Sequence, residues 1–571
     1  MADDTEFTDL INTLPTGASF AFLRMTNKIY VDKTDQVFAL ASVTGGCYFL
    51  SRPRRFGKST LVNTLQELFE HGTQPYDGHA SYFKGLAIDG QWQEKPGACQ
   101  VVHWDFSACH TIHTANQWEN DLMLRIGALA ERLNIQIKPE YKNNFTWMIK
   151  DFLQKAEYSS LVLLIDEYDA PLIYARSTEE IKAFLAVMQN FYAIIKSYSE
   201  KFRFIFITGV LGFRATPLFR EGNFIRDISQ NPLFADICGY STEDLKTHFA
   251  AHLRYAAAVR NNTTKAQIST ADTDKLAAEM TQWYGGFYFA EDAASAVLST
   301  WSVLSFFNNP RYSLTTYWNE TWGDFNELMR KKLLKENLLT ALRALTANEA
   351  LDVSRSDFND PSTLDRINVY VLLFQTGYLT FKAGIGLAQE SSTGIFPLCM
   401  PNKEAAASLP KLMARAIFSD NGWRFSFAYY QLGFIKAVQA ADLDQICCLL
   451  TELLQPVDYK PIELTGESII TALTGFFILS CGFSVRVNEH QLSGSPALRA
   501  DSRSLQKSLI LEFRCSSSDR EEDLNQSLQQ ALEQLKSRQY SEPLCQYPDR
   551  LRLALVYSSV SRQFARAALA D

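Results

Sequence analysis

The chain has 571 residues, 47% of them hydrophobic and 21% charged, the mix of a folded protein with about three domains of ordinary size rather than a disordered one. No apolar run reaches the ~20 residues of a membrane span, and the start, Met1-Ala-Asp-Asp-Thr-Glu6, is acidic where a secretory leader is basic and then apolar. A net charge of -8 and ten scattered cysteines without a Cys-x-x-Cys pair argue against a chain that coats nucleic acid by bulk charge, a disulfide scaffold or a zinc site, and for a reducing cytoplasm.

In the first 210 residues, short apolar runs alternate with helix-like stretches. Cys47–Leu50, Val101–Trp104, Leu161–Ile165 and Phe204–Ile207 are the runs, and Leu61, Leu65, Leu68 and Phe69 recur at helical spacing between the first two. Strands apolar on both faces and joined by crossovers predict an α/β core over residues 1–240, a parallel sheet between helices. Residues 241–455 read as a mainly helical middle or lid region, broken by Gly285-Gly286 and a polar loop at Gln389–Gly394. Residues 456–571 return to a mixed pattern and predict a small α/β domain. There is no internal repeat.

Gly57-Lys58-Ser59-Thr60 follows the first strand and opens a helix, the context that makes a phosphate loop. Backbone N–H groups and a helix N-terminus would face phosphate oxygens, Lys58 would neutralise the β/γ charge, and Ser59 would hold Mg²⁺. Arg54, Arg55, Phe56, Gly57 and Thr60 complete the expected nucleotide-binding positions. The position five residues before Gly57, ordinarily glycine, is Arg52. Downstream, Leu161-Val-Leu-Leu-Ile-Asp166-Glu167 ends a buried strand in two carboxylates, where Asp166 would coordinate Mg²⁺ and Glu167 would act as general base on water. Together the two motifs point to ATP with Mg²⁺.

Tyr30-Val-Asp-Lys-Thr34, Ser51-Arg-Pro-Arg-Arg-Phe-Gly-Lys-Ser59, Leu164-Ile-Asp-Glu-Tyr-Asp169 and Ile207-Thr-Gly-Val210 resemble the AAA-ATPase-like family often fused to a PD-(D/E)XK nuclease domain. Cys238-Gly-Tyr240, Trp283–Phe287, Tyr317-Trp318, Gln375–Leu379 and Pro401-Asn-Lys-Glu404 continue the resemblance in family order. The resemblance implies a P-loop ATPase whose Arg-Pro-Arg-Arg loop start is a family trait. The run Leu211–Arg220 departs from the family, which has a lysine two positions after Val210. Thr208, at its strand end, is a candidate γ-phosphate sensor or a strand cap. Arg214 and Arg220 are candidates for reaching a nucleotide or a neighbouring subunit of a homo-oligomer.

In the last domain Gly466-Glu467 opens an amphipathic helix, Phe483–Glu489 alternates like a strand, and Arg499-Ala-Asp501 leads through a polar turn to Leu509-Ile-Leu-Glu512-Phe-Arg514. Glu512 and Arg514 share one strand face. Asp501 and Glu512 are expected side by side across the hairpin, sharing a divalent metal with Glu467 as third ligand. The pattern resembles the Asp…Glu-x-Lys core of the PD-(D/E)XK superfamily with Arg514 in the lysine position, and Ala531–Gln534 and Tyr540 fit the helix after that core. The resemblance implies nucleic acid, DNA or RNA, as the partner. Arginine does not lose its proton near neutral pH, and from residue 456 basic and acidic residues nearly balance (13 against 14), so two readings stand: an ATP-controlled nuclease, with Asp501, Glu512 and Arg514 catalytic, or an ATP-gated module that binds nucleic acid or protein without cutting. His110-x-x-His113 reads as a surface pair, and Trp283-Tyr284 and Tyr317-Trp318 as packing within the helical region.

Overall fold

The computed structural model describes residues 4–570 except 18, 77, 108–111, 113, 176, 213–223, 291–292, 294–295, 311–312, 319–341, 343–349, 360–366, 383–393, 419–425, 458–465, 489–496 and 538–545. His110, His113, Arg214, Arg220 and Tyr540 lie outside the described residues. Two compact units form, Met1–Trp318 with Asp352–Ala405, and Asn319–Leu351 with Ala406–Asp571. These boundaries differ from the 240 and 455 that the change of pattern suggests.

The first unit holds a five-stranded parallel sheet of β1 (Gly46–Ser51), β2 (Gln100–Asp105), β3 (Leu161–Asp166), β4 (Phe202–Gly209) and β5 (Arg226–Asp227), in the order β2-β3-β4-β1-β5. All six residues of β3 and all eight of β4 are buried, as strands covered on both faces must be. The crossover helices start where a side chain caps them: Thr114 accepts from the Gln117 amide, Asn144 from Trp147 and Ser177 from Glu180. Because these strands are parallel neighbours, with β4 between β1 and β3, Ser51, Asp166 and Gly209 lie together at the carboxyl end of the sheet, the end at which open α/β sheets bind ligands.

Helices Thr242–His248, Ala250–Arg260, Thr270–Tyr284 and Thr300–Asn308 follow. Ser241/Asp244 and Ser269/Asp272 form reciprocal capping boxes on the first and third. Leu245, Phe249, Leu253, Met280, Tyr284 and Phe306 build their core, and Trp283 and Tyr317 pack against it.

The middle region is less helical than its sequence suggests. β6 (Leu351–Ser354), β7 (Thr380–Phe381) and β8 (Ile395–Cys399) form a sheet ordered β6-β8-β7 beside the buried helix Val369–Gln375. Leu351 and Val353 are buried where Asp352 is exposed, and Phe396 and Leu398 are buried where Ile395 is exposed. That alternation is the period of a half-buried strand, here in runs of four and five residues.

The second unit has a sheet of β9 (Ser484–Asn488), β10 (Ala497–Ser502), β11 (Lys507–Ser516), β12 (Asp549–Ser558) and β13 (Gln563–Leu569), ordered β13-β12-β11-β10-β9. Only β11 and β12 run parallel, and helix Glu521–Ser537 makes the crossover between them. Ile510, Ala554 and Ala570 pack against Ala531 and Leu535 of that helix.

Candidate functional site

The chain turns from β1 into helix Lys58–His71 through Arg52–Gly57. Arg55 (φ 69°) and Gly57 (φ 93°) both take left-handed backbone, a conformation that glycine adopts without strain and arginine only at a cost. Arg52 is 1% exposed. Its guanidinium donates to the carbonyls of Ser51 (2.9 Å), Ser229 (2.7 Å) and Phe234 (2.8 Å) and lies 4.3 Å over the Phe289 ring. Burial lowers its pKa to about 10, against the opposing influence of Cys238, Asp227 and Asp236. Arg52 is therefore a structural anchor of the loop.

Lys58 is buried, and its ammonium donates to the Arg52 and Pro53 carbonyls, both at 3.1 Å. Burial depresses its pKa, and Asp166, Glu167 and Asp169 oppose the shift. Ser59 is exposed in the first turn of the helix. Two other loop side chains expected at nucleotide turn elsewhere. Phe56 is buried edge-on against Phe287 (4.9 Å) and Phe289 (5.3 Å), and Arg55 donates to the Tyr317 carbonyl at 2.9 Å. Arg54 lies 3.5 Å from the Tyr174 hydroxyl. Beside Gly57 and Thr60 is a cavity of about 110 Å³, lined by Tyr30, Val31, Ile237 and Leu304 among others.

At the end of β3, Asp166 is 3% exposed and accepts from the Glu167 amide at 2.9 Å. Glu167 sits at φ 50°, and burial raises its pKa more than Lys58 lowers it. The next two residues brace the segment after β4. Asp169, itself buried, accepts from the amides of Val210 (3.0 Å) and Leu211 (2.7 Å), and the Tyr168 hydroxyl donates to the Leu211 carbonyl at 2.6 Å. Gln375 donates to the Gly212 carbonyl at 2.9 Å. The fully buried Thr208 hydroxyl donates to the Leu50 carbonyl at 2.8 Å, joining β4 to β1. Asp169 could have been found as the second aspartate of the Asp-Glu-Tyr-Asp run; Gln375 stands out only as part of the Gln375–Leu379 run, and its bond carries no local signal, since the partner is 163 residues away.

In the second unit the register corrects one expectation. Asp501 lies opposite Ser508, and Leu498 opposite Leu511, which puts Glu512 opposite Ala497. Asp501 and Glu512 share a face but are four register steps apart, about 13 Å at strand rise, because the turn falls at 503–506, close to Asp501. The Ser508 hydroxyl donates to Asp501, and the Gln546 amide lies 3.4 Å from it. Glu512 is fully buried. Arg514 pairs with Glu467 at 3.2 Å, so these two predicted site residues do come together.

Residues 15–219 match the family described as AAA-ATPase_like, predicted AAA-ATPase. An uncharacterised protein in the vnfD 5′ region of Azotobacter chroococcum mcd 1 is 30% identical over 402 residues, 69% of each chain. A solved structure of a signal transduction ATPase with numerous domains, with a tetratricopeptide repeat sensor, from Pyrococcus horikoshii is 12% identical with a TM-score of 0.22, over 80% of this chain and 57% of that one. No helix among the described residues is long and apolar enough to cross a membrane. The chain's residues 15–219 match the predicted AAA-ATPase model, and the chain belongs to one family with the Azotobacter protein.

Proposed function

We propose that the first unit binds ATP through the backbone amides of residues 54–58 and the side chains of Lys58 and Ser59, and hydrolyses it with Glu167 as general base. The observation that carries this reading is Lys58, a buried ammonium set against two carbonyls of its own loop and under the influence of Asp166, Glu167 and Asp169. A cation so placed is ready to exchange carbonyl partners for phosphate oxygens. The cavity at Tyr30, Val31 and Leu304 offers an apolar seat for the base at the same loop. The Ser59 hydroxyl and the Asp166 carboxylate would be the oxygen donors to Mg²⁺, which would supply charge neutralisation across the phosphates when bound. Glu167, its proton affinity raised by burial, takes the proton of the attacking water. Asp169, Tyr168 and Gln375 hold the segment after β4 beside it.

Calorimetry and turnover test this reading. Lys58→Ala should abolish ATP binding, and Glu167→Gln should keep it while hydrolysis falls about 100-fold or more, because an amide cannot accept the proton. Unchanged ATP affinity in Lys58→Ala would overturn the site.

For the second unit, the favoured reading is a module that binds nucleic acid or protein under nucleotide control without cutting it. The supporting observation is the engagement of Arg514 with Glu467, together with the distance between Asp501 and Glu512 along the hairpin. A nuclease centre needs a cation free to steady the phosphorane and carboxylates close enough to share a metal.

A further inference from the structure

The phosphate loop is tied to the two places where the chain leaves the first unit. Arg55 donates to the Tyr317 carbonyl at 2.9 Å and stacks 4.4 Å over Trp301. Its own carbonyl accepts from the Thr300 hydroxyl (2.6 Å) and the Trp301 amide (3.3 Å). Phe56, the next residue, packs on Trp318 at 6.1 Å. Gly377 (φ 85°) also lies against that indole, where a Cβ would come within 2.7 Å of Trp318 and 3.0 Å of Pro53. The loop and Trp318 thus meet Gly377 so closely that a methyl group added there could not fit without one of them moving.

Glu404 closes the connection. It is 0% exposed, and its two carboxylate oxygens accept from the Tyr317 amide (2.6 Å) and the Ser302 hydroxyl (2.7 Å). The Trp318 amide also donates to it. Trp318 is the last residue before the chain passes to the second unit, and it passes again after Ala405, one residue beyond Glu404 in helix Lys403–Phe418. Both departures are therefore joined to each other through Glu404, and to the phosphate loop through Arg55.

We propose that Arg55, Tyr317 and Glu404 couple the nucleotide state of the loop to these two departures. Phosphate seated on the amides of residues 54–58 fixes the left-handed turn at Arg55, Arg55 then holds the Tyr317 carbonyl, and Glu404 holds the Tyr317 and Trp318 amides. Without nucleotide the turn is less constrained and the clamp opens more often. Arg55 and Glu404 act here as positioning residues. The proposal rests on the ATP-binding reading.

The experiment is hydrogen exchange on the full chain with and without ATP and Mg²⁺, alongside calorimetric ATP affinity, for the parent, Glu404→Gln and Arg55→Ala. In the parent, ATP should slow exchange at the Tyr317 and Trp318 amides and at the start of helix Lys403–Phe418 by about tenfold or more. Glu404→Gln should keep ATP affinity within about twofold and lose most of that slowing. Arg55→Ala should also lose it, with a modest change in affinity. The coupling is overturned if ATP binds the parent without changing exchange at these amides, or if the slowing persists undiminished in both variants. It is equally overturned if Arg55→Ala loses ATP binding as completely as Lys58→Ala, which would make Arg55 a phosphate ligand. A parent that shows no heat with ATP refutes the nucleotide site itself, an outcome distinct from all of these.

Discussion

Arg52 stands where a phosphate loop ordinarily has glycine, and its partners explain how the loop carries so large a residue. The guanidinium leaves the phosphate side and spends its donors on carbonyls of residues 51, 229 and 234. Arg52→Lys keeps the charge but loses the fork, leaving buried carbonyls without donors. It should lower the unfolding free energy of the first unit by about 2–4 kcal/mol in urea titration. Glu404 makes a pH-dependent contribution. Burial raises its pKa from 4.5 to about 7, against the hydrogen bonds from Ser302, Tyr317 and Trp318. The folded state therefore holds a proton that the unfolded chain has released. The stabilisation is full below about pH 4.5 and lost as pH rises through about 7, a difference of about 3 kcal/mol. Urea titrations at pH 5 and pH 8 should show a smaller pH difference for Glu404→Gln than for the parent, although Glu67, also raised to about 7 by burial and by Glu70, keeps a slope of the same sign in both. Neither environment was legible in the sequence. Arg52 stands out there only as a missing glycine, and Glu404 only as part of a motif, because apart from Ser51 the partners of both lie about 90 to 180 residues away.

The four runs that read as strands in the first 210 residues all lie within strands of the parallel sheet. Continuous apolar runs of four or five residues carry that signal because both faces are covered. The hairpin β10–β11 was legible in kind but not in register. Strand periodicity places Glu512 and Arg514 on one face, yet nothing in the spacing from Asp501 to Glu512 says where between them the chain turns. The turn at 503–506 leaves Asp501 opposite Ser508, in the role of a hydrogen-bond acceptor at the hairpin end. Asp501→Ala should accordingly destabilise the second unit by about 1–2 kcal/mol, as measured by urea titration, and leave the heat of Mn²⁺ titration unchanged. Loss of a measurable Mn²⁺ heat in this variant would restore Asp501 as a metal ligand.

At the scale of the molecule, the functional reading separates a nucleotide-using unit from one that follows its state. Incubation of the full chain with DNA or RNA, Mg²⁺ or Mn²⁺, with and without ATP, should give no cleavage. Arg514→Lys should not create any while Glu467 can pair with the new ammonium as well. Cleavage by the parent that vanishes with Glu512→Ala would establish the nuclease reading instead. The change of sequence pattern near 456 marks where the mixed α/β segment begins, but it could not reveal that Asn319–Leu351 belongs with that segment and Asp352–Ala405 with the first unit. Composition is read along the chain, whereas these assignments depend on contacts between segments distant in it.

That exchange of segments fixes an order of events during synthesis. A ribosome that has released residues 1–318 has not yet released the piece that completes the first unit, which ends at Ala405. Asn319–Leu351, assigned to the second unit, emerges in between, ahead of Ala406–Asp571. Domains usually close as they leave the ribosome, N-terminal first; here the earlier body closes only after part of the later one is already outside. A nascent chain stalled before residue 404 would carry the phosphate loop without Glu404, and one stalled soon after residue 405 would have the whole first unit before Ala406–Asp571 has emerged. Under the proposed function, ATP would favour the first unit at that moment, as any ligand favours the state it binds, and so assist folding as well as serve the folded protein.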